Sequence, residues 1–289
     1  IASIKIDSNN IDSHLGLATV YEKLNMMKNA LEEVDIVTKL NPTNMKALKL
    51  QGNIYKITKN YKESLITIEK AIELSQDKGN LVFQKGECLL KLGRLDEAID
   101  TLTNCIELNC NELSTYRLLG LAYKEKGNYE KSLHYFNFGL KEDKFNIEFL
   151  MDRSMLYTIS KSYDLALKDL HTIEKKEQFP LVYFRLSIVN YLCGNYEKAI
   201  ECGFKSLEGE LETEIKVICY YVLGLCQANL ENYTDALISL TKSIELNSNE
   251  VVIFHERAKC KLLVGQFEQS IDDFNKVIEL QPSNSHAYF

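Results

Sequence analysis

The sequence predicts an all-α protein built from stacked antiparallel helix hairpins, and three observations support this fold class. The chain has 289 residues, which exceeds one ordinary globular core. It contains only 3 Pro and 13 Gly beside 45% hydrophobic residues, which argues against disorder and against an all-β chain. Small and apolar residues also recur with a period of about 34 residues, a length that accommodates two helices and their turns.

The repeat is clearest in residues 113–146. Gly120 is followed by Tyr123, then by Ser132 and Phe136, at offsets that other blocks share. Keeping these blocks in register divides most of the chain into eight units of similar length. The predicted hairpins are residues 11–44, 45–78, 79–112, 113–146, 147–179, 180–216, 217–250 and 251–284.

Each block contains two segments with the apolar spacing of a helix, separated by a short polar link such as residues 125–128. Small residues at the eighth and twentieth positions, such as Gly120 with Ser132 and Gly224 with Ala236, let the two helices approach closely. A large residue at Gly120 or Ala236 is therefore expected to overpack the hairpin. Because one hairpin cannot bury its apolar face alone, stability must come from stacking on neighbouring hairpins.

The period is interrupted at residues 208–216, where the sixth block is about three residues longer than the others. We expect a longer turn or an extended second helix there, as a tolerated surface insertion. The chain starts at Ile1, residues 1–10 match the end of a repeat, and residues 285–289 match the start of another. We therefore expect one array over residues 1–289, with further repeats on at least one side.

The repeat offsets resemble those of the tetratricopeptide repeat family over nearly the whole chain. The chain departs from the family pattern by containing no Trp, and it has Pro at the block end only at Pro42 and Pro282. The resemblance implies a right-handed α-solenoid whose first helices line a concave groove. It also implies a non-enzymatic scaffold for protein–protein interaction, as a subunit of a larger assembly.

In this family, side chains at the second, fifth, sixth, ninth, twelfth and thirteenth positions point into the groove. In the first four blocks these positions are polar with a basic bias, and in the fifth to seventh they are apolar and aromatic. We expect a partner with an acidic stretch for the first half and an apolar helix or extended segment for the second. The predicted groove residues are Lys46, Lys49, Asn53, Gln84, Arg117, Met151, Met155, Phe184, Ile188, Tyr191, Tyr221 and Leu225.

Several other function classes lack support in the sequence. The net charge of -7 argues against general binding to nucleic acid or to an anionic membrane. Nucleotide-binding and hydrolase motifs are missing, and the five histidines lack the spacing of metal ligands, so we expect no enzyme, cofactor or metal site. Cys88, Cys226 and Cys260 share one repeat position and are predicted to be buried packing residues.

The repeat pattern is also compatible with two alternative functions. One is the targeting region of a larger, glycosyltransferase-type enzyme, whose ladder of groove asparagines this chain lacks. The other is a co-chaperone, because Lys49 and Asn53 match the first two members of a carboxylate clamp. Gln84, Ser114 and Leu118 then break that clamp.

Cysteine usage and composition suggest a cellular setting. The eight cysteines include no C-x-x-C pair, which favours a reducing, cytoplasmic compartment. No stretch is apolar enough for membrane insertion. Analogy with other long divergent arrays suggests a cytoskeletal or ciliary assembly.

Overall fold

In a computed structural model, sixteen α-helices account for the regular structure of the described residues, which are 10–281 apart from 109 and 111. The predictions for residues 1–9, Pro282 and 285–289 lie outside this part of the chain. The helices are α1 Ile11–Lys23, α2 Met27–Leu40, α3 Met45–Ile57, α4 Tyr61–Leu74, α5 Gly79–Lys91, α6 Leu95–Glu107, α7 Glu112–Glu125, α8 Tyr129–Glu142, α9 Ile147–Ile159, α10 Tyr163–Lys176, α11 Pro180–Leu192, α12 Tyr196–Leu207, α13 Thr213–Asn229, α14 Tyr233–Leu246, α15 Val251–Leu263 and α16 Phe267–Leu280.

The sixteen helices form eight hairpins, which confirms the predicted all-α solenoid. They fall into two compact units, residues 1–144 and 145–289, with four hairpins in each. Within each unit, the two helices of a hairpin pack on each other, and the second helix packs on the first helix of the next hairpin. Apolar side chains from neighbouring hairpins thus share one core, as expected for a repeat architecture.

In several hairpins the two helices are joined by a hydrogen bond at the small-residue positions. Ser132 Oγ donates to the backbone carbonyl of Gly120 over 2.7 Å, and both residues are buried. A Cβ atom added to Gly120 would lie 2.4 Å from Cε1 of Phe136, which is fully buried. The same hydroxyl-to-carbonyl bond recurs as Ser64 to Gly52 and as Ser270 to Ala258.

The turn between the two helices uses one backbone conformation in all eight hairpins. Its fifteenth-position residue has a positive φ, a region that L-residues other than Gly adopt at a cost. Glycine occupies it in four hairpins and a larger residue in the other four. The residues are Asn25, Lys59, Gly93, Gly127, Lys161, Gly194, Glu231 and Gly265.

The extra residues of the sixth block lie mainly in the first helix of the seventh hairpin. α12 ends at Leu207, so the expectation of an extended second helix is wrong. α13 instead begins at Thr213 and has 17 residues, whereas α11 and α15 have 13 each. Glu214 lies in its first turn, where the helix dipole favours a carboxylate. The added turn 213–216 therefore extends α13 at its N-terminal end, directly before Val217, which packs in the core of the second unit.

The structure joins Cys105 and Cys110 in a disulfide, with their Cα atoms 5.6 Å apart. No C-x-x-C pair marks these residues in the sequence, and all eight cysteines were expected to be reduced. They meet because α6 ends at Glu107 and the chain turns back before α7. The other six cysteines are free.

Replacing Gly120 with Ala is expected to destabilise the first unit by roughly 1–3 kcal/mol, because the added methyl group meets the buried Phe136 ring. Urea denaturation followed by circular dichroism measures the change. Gly16→Ala is the matched control, since Gly16 is exposed on α1 with no atom within 4 Å of its added Cβ. That variant is expected to gain roughly 0.5–1 kcal/mol. A Gly120→Ala protein as stable as the parent would contradict the close approach.

Candidate partner-binding faces

The predicted groove residues of the first unit form a polar set that we call the basic face: Lys46, Lys49, Asn53, Gln84 and Arg117. α3 carries Lys46, Lys49 and Asn53 at spacings of three and four residues, which place them on one side of the helix. Lys46 and Lys49 are exposed, and neither forms an ion pair within the described residues. Gln84 on α5 and Arg117 on α7 are half-buried.

Some polar groups on and beside the basic face already have partners inside the first unit. Asn53 Nδ2 donates to a carboxylate oxygen of Glu22 in the preceding hairpin. Lys56, one turn further along α3, forms an ion pair with Glu87 at 2.9 Å. Asn53 is therefore engaged, and the positive charge available to a partner is concentrated on Lys46 and Lys49.

The predicted groove residues of the second unit form what we call the apolar face: Met151, Met155, Ile188, Tyr191, Tyr221 and Leu225. They come from α9, α11 and α13, at spacings of three or four residues within each helix, and all six are half-buried. Phe184 was predicted with them, but its side chain is only 6% exposed and belongs mainly to the core. Phe184 therefore offers a partner little surface.

The aromatic members of the apolar face are fixed by packing. Ile188 and Tyr191 pack on the buried residues Val222 and Cys226, and the Tyr191 and Tyr196 ring centroids are 6.1 Å apart. Burial raises the pKa of both Tyr191 and Tyr221, so both phenols are neutral at physiological pH. The face thus presents neutral aromatic and aliphatic surface with little conformational freedom to lose on binding.

Arg185, next to Phe184 on α11, was not predicted as a site residue. Its Nε atom is buried without a hydrogen-bond partner, and no ion pair of the guanidinium is found within the described residues. Burial lowers the pKa of Arg185, and the charge of Asp152 on α9 opposes that shift. A charged donor left without a partner is costly, so Arg185 is a candidate contact for an acidic group of a ligand. Its position in the repeat was visible in the sequence, but its missing partner was not.

The cysteines at the shared repeat position are buried, as predicted. Cys88 and Cys226 have no exposed surface, and Cys260 is 3% exposed. Burial is the main cause that raises the pKa of Cys226 to about 12. In the described part of the chain, no three His, Cys, Asp or Glu residues are grouped so that they could hold a metal ion. No helix there has the length and apolarity needed to cross a membrane.

Five segments of the chain match the tetratricopeptide repeat family model: residues 46–78, 80–111, 113–144, 218–250 and 253–284. The chain belongs to the tetratricopeptide repeat family. These segments cover more than half of the sequence and lie on the hairpins described above. Membership of this family supports a role in protein–protein interaction.

Several known proteins are similar to this chain in sequence or in structure. TPR repeat-containing protein MJ1428 of Methanocaldococcus jannaschii is 24% identical over 90% of this chain and 42% of its own length. Human peptidyl-prolyl cis-trans isomerase FKBP4 is 28% identical over 44% of this chain and 30% of its own length. The chain therefore spans less than half of these relatives. Among solved structures, the APC/C hetero-tetramer Cut9-Hcn1 has a TM-score of 0.66 and 13% identity, covering 100% of this chain and 56% of that one.

Arg185→Met is expected to raise the free energy of unfolding of the second unit by roughly 1–3 kcal/mol, because it removes a buried donor that lacks a partner. Arg153→Met is the matched control. Arg153 forms two hydrogen bonds to Asp169, at 2.7 and 2.8 Å, and Asp169 is 4% exposed. Removing it should cost roughly 3–5 kcal/mol. Thermal unfolding distinguishes the two variants. A destabilised Arg185→Met protein would contradict the conclusion that Arg185 Nε is buried without a hydrogen-bond partner.

Cysteine labelling by iodoacetamide at pH 8 is expected to begin at Cys193 among the free cysteines of the second unit. Burial raises the pKa of Cys202 and Cys219 to about 11 and that of Cys226 to about 12, so their thiolate populations are very small at pH 8. Cys193 lies half-exposed at the end of α11, and burial raises its pKa without a large shift. Cys260 is only 3% exposed, and burial raises its pKa as well. Peptide mass mapping over a time course measures the order. Equal labelling rates in the folded protein would contradict it.

Proposed function

We propose that this chain is a non-enzymatic scaffold that binds segments of partner proteins and forms part of a multiprotein assembly. The apolar face of the second unit carries this proposal. Its six side chains are half-buried and uncharged, and the unpaired Arg185 lies on the same helix as two of them. Apolar surface with one charged donor suits a peptide that has apolar side chains and one acidic group.

The basic face of the first unit supports a second contact, with an acidic segment. Lys46 and Lys49 are exposed and have no ion pair within the described residues, so both can meet carboxylates of a partner. Contacts between exposed charges mainly set the association rate and depend strongly on salt. We therefore propose that the basic face attracts the partner and that the apolar face provides most of the binding free energy.

The two alternative functions receive less support. In the co-chaperone alternative, Lys49 and Asn53 would hold a terminal carboxylate, but Asn53 already donates to Glu22. The similarity to FKBP4 covers only 44% of this chain and 30% of FKBP4, so it gives no support for isomerase activity here. For the enzyme-targeting alternative, groove asparagines are replaced by residues such as Asp152 and Arg185. The scaffold therefore remains our proposal. The six free cysteines suit a reducing cytoplasmic setting, whereas the Cys105–Cys110 disulfide does not.

Replacing Ile188 and Leu225 together by Ala is expected to weaken partner binding at least tenfold, because two apolar contacts of about 0.8 kcal/mol per lost CH₂ group disappear. Affinity capture from cells with parent and variant chains, followed by mass spectrometry, identifies the protein that is lost. Titration of that purified protein against both chains then measures the affinity. The matched control is Ile238→Ala with Leu246→Ala, which removes two exposed side chains from α14.

The charge reversal Lys46→Glu with Lys49→Glu is expected to slow association with the same partner and to reduce the effect of salt on the rate. Lys62→Glu with Lys70→Glu is the control, since it makes the same change in net charge on exposed positions of α4. Stopped-flow fluorescence measures both rates. If neither the charge reversal nor the Ile188 and Leu225 change affects any captured protein, the proposed faces are not the binding surface.

A further inference from the structure

A cavity of about 400 Å³ lies where the first turns of α13 and α15 meet in the second unit. Ile218 and Tyr221 from α13 and Val252 and Ile253 from α15 form its apolar lining. Ile218 and Val252 are 45% and 53% exposed, so large aliphatic side chains face solvent here. Tyr221 belongs to both the cavity and the apolar face, which makes the two surfaces continuous.

The cavity is lined in part by the start of the lengthened helix. The extra turn 213–216 makes α13 four residues longer than α11 and α15. It carries Glu214, which lines the cavity together with Val217. Residues 208–216 were expected to be a tolerated surface insertion, and one of them, Glu214, lines this cavity.

Two carboxylates, those of Glu214 and Glu250, line this cavity beside its apolar residues. Glu214 lies in the first turn of α13 and Glu250 is the residue before α15. Among the described residues, the Glu250 carboxylate accepts a hydrogen bond only from the neutral Asn247 side chain, at 3.3 Å. Neither of these glutamates forms an ion pair within the described residues. The cavity is therefore largely apolar and carries negative charge.

We propose that this cavity binds an apolar side chain of a partner protein that has Lys or Arg residues next to it in its sequence. The apolar lining favours a side chain of the Leu, Ile or Phe type, because burial of Ile218 and Val252 adds to the free energy of binding. The unpaired carboxylates favour neighbouring cations and disfavour acidic ones. This inference rests on the proposed function and specifies the partner chemistry at one end of the apolar face.

The test is selection of random dodecapeptides by phage display on the 289-residue chain, in parallel on a Glu214→Lys, Glu250→Lys variant. The parent chain is expected to enrich peptides with a large apolar residue within two positions of Lys or Arg. The charge-reversed variant is expected to enrich peptides in which Asp or Glu replaces those cations. Enrichment of the same peptides by both chains, or of none by the parent, would overturn the proposal.

The selected peptides are then synthesised with a fluorophore and titrated by anisotropy. Ile218→Asp is expected to weaken binding at least tenfold, while Ile238→Asp, at a site on α14 that is 51% exposed, is the matched control and leaves it unchanged. Circular dichroism checks that both variants keep the helical content of the parent. Unchanged affinity in Ile218→Asp overturns the cavity proposal.

The same peptides separate this inference from the proposed function. Peptides that lose binding in Ile188→Ala, Leu225→Ala but keep it in Ile218→Asp would support the apolar face and overturn the cavity. Peptides that lose binding only in Ile218→Asp would support the cavity. The apolar face would then be tested by titration of the captured partner protein.

Discussion

The close approach of the two helices in each hairpin is the constraint on which the rest of the structure depends. At Gly120 the helices are so close that a single methyl group would meet the Phe136 ring, and Ser132 uses the short distance for a hydrogen bond to the carbonyl of Gly120. This contact sets the spacing of the hairpin, and the spacing sets which side chains reach the next hairpin. The first helices are left with one side that no second helix covers. The residues of the basic and apolar faces all lie on first helices, where they are exposed or half-buried.

Much of the fold could be predicted because it depends on the spacing of residues within each hairpin. The small residues, the apolar period and the turn all act within one hairpin, so the sequence places sixteen helices without knowledge of their neighbours. Residues 208–216 were harder, because the added residues suit a helix start as well as a turn. The preference for a longer α13 depends on the packing of Val217 against the following hairpin. The Cys105–Cys110 pair likewise depends on where α6 ends.

The candidate sites depended more on three-dimensional contacts than on spacing. All the predicted groove residues except Phe184 are exposed or half-buried. Phe184 and its neighbour Arg185 differ from expectation in opposite ways. Phe184 is in the core, whereas Arg185 retains an unsatisfied donor. Whether a side chain at such a position is engaged depends on the reach of its neighbours, as with Glu22 and Asn53. The sequence alone does not show which side chains are in contact, so it cannot predict which of these polar groups are paired.

The positive-φ residue in each turn affects how the hairpins respond to stress. Asn25, Lys59, Lys161 and Glu231 hold a conformation that costs an L-residue roughly 1–2 kcal/mol, whereas the four glycines hold it almost freely. Since stability in a repeat protein is nearly a sum over hairpins and their interfaces, this strain stays local. The array should therefore open unevenly, with amides near strained turns exchanging with solvent sooner than those near glycine turns. Each unit contains both kinds of hairpin, so local opening can vary within a unit while its neighbours stay folded.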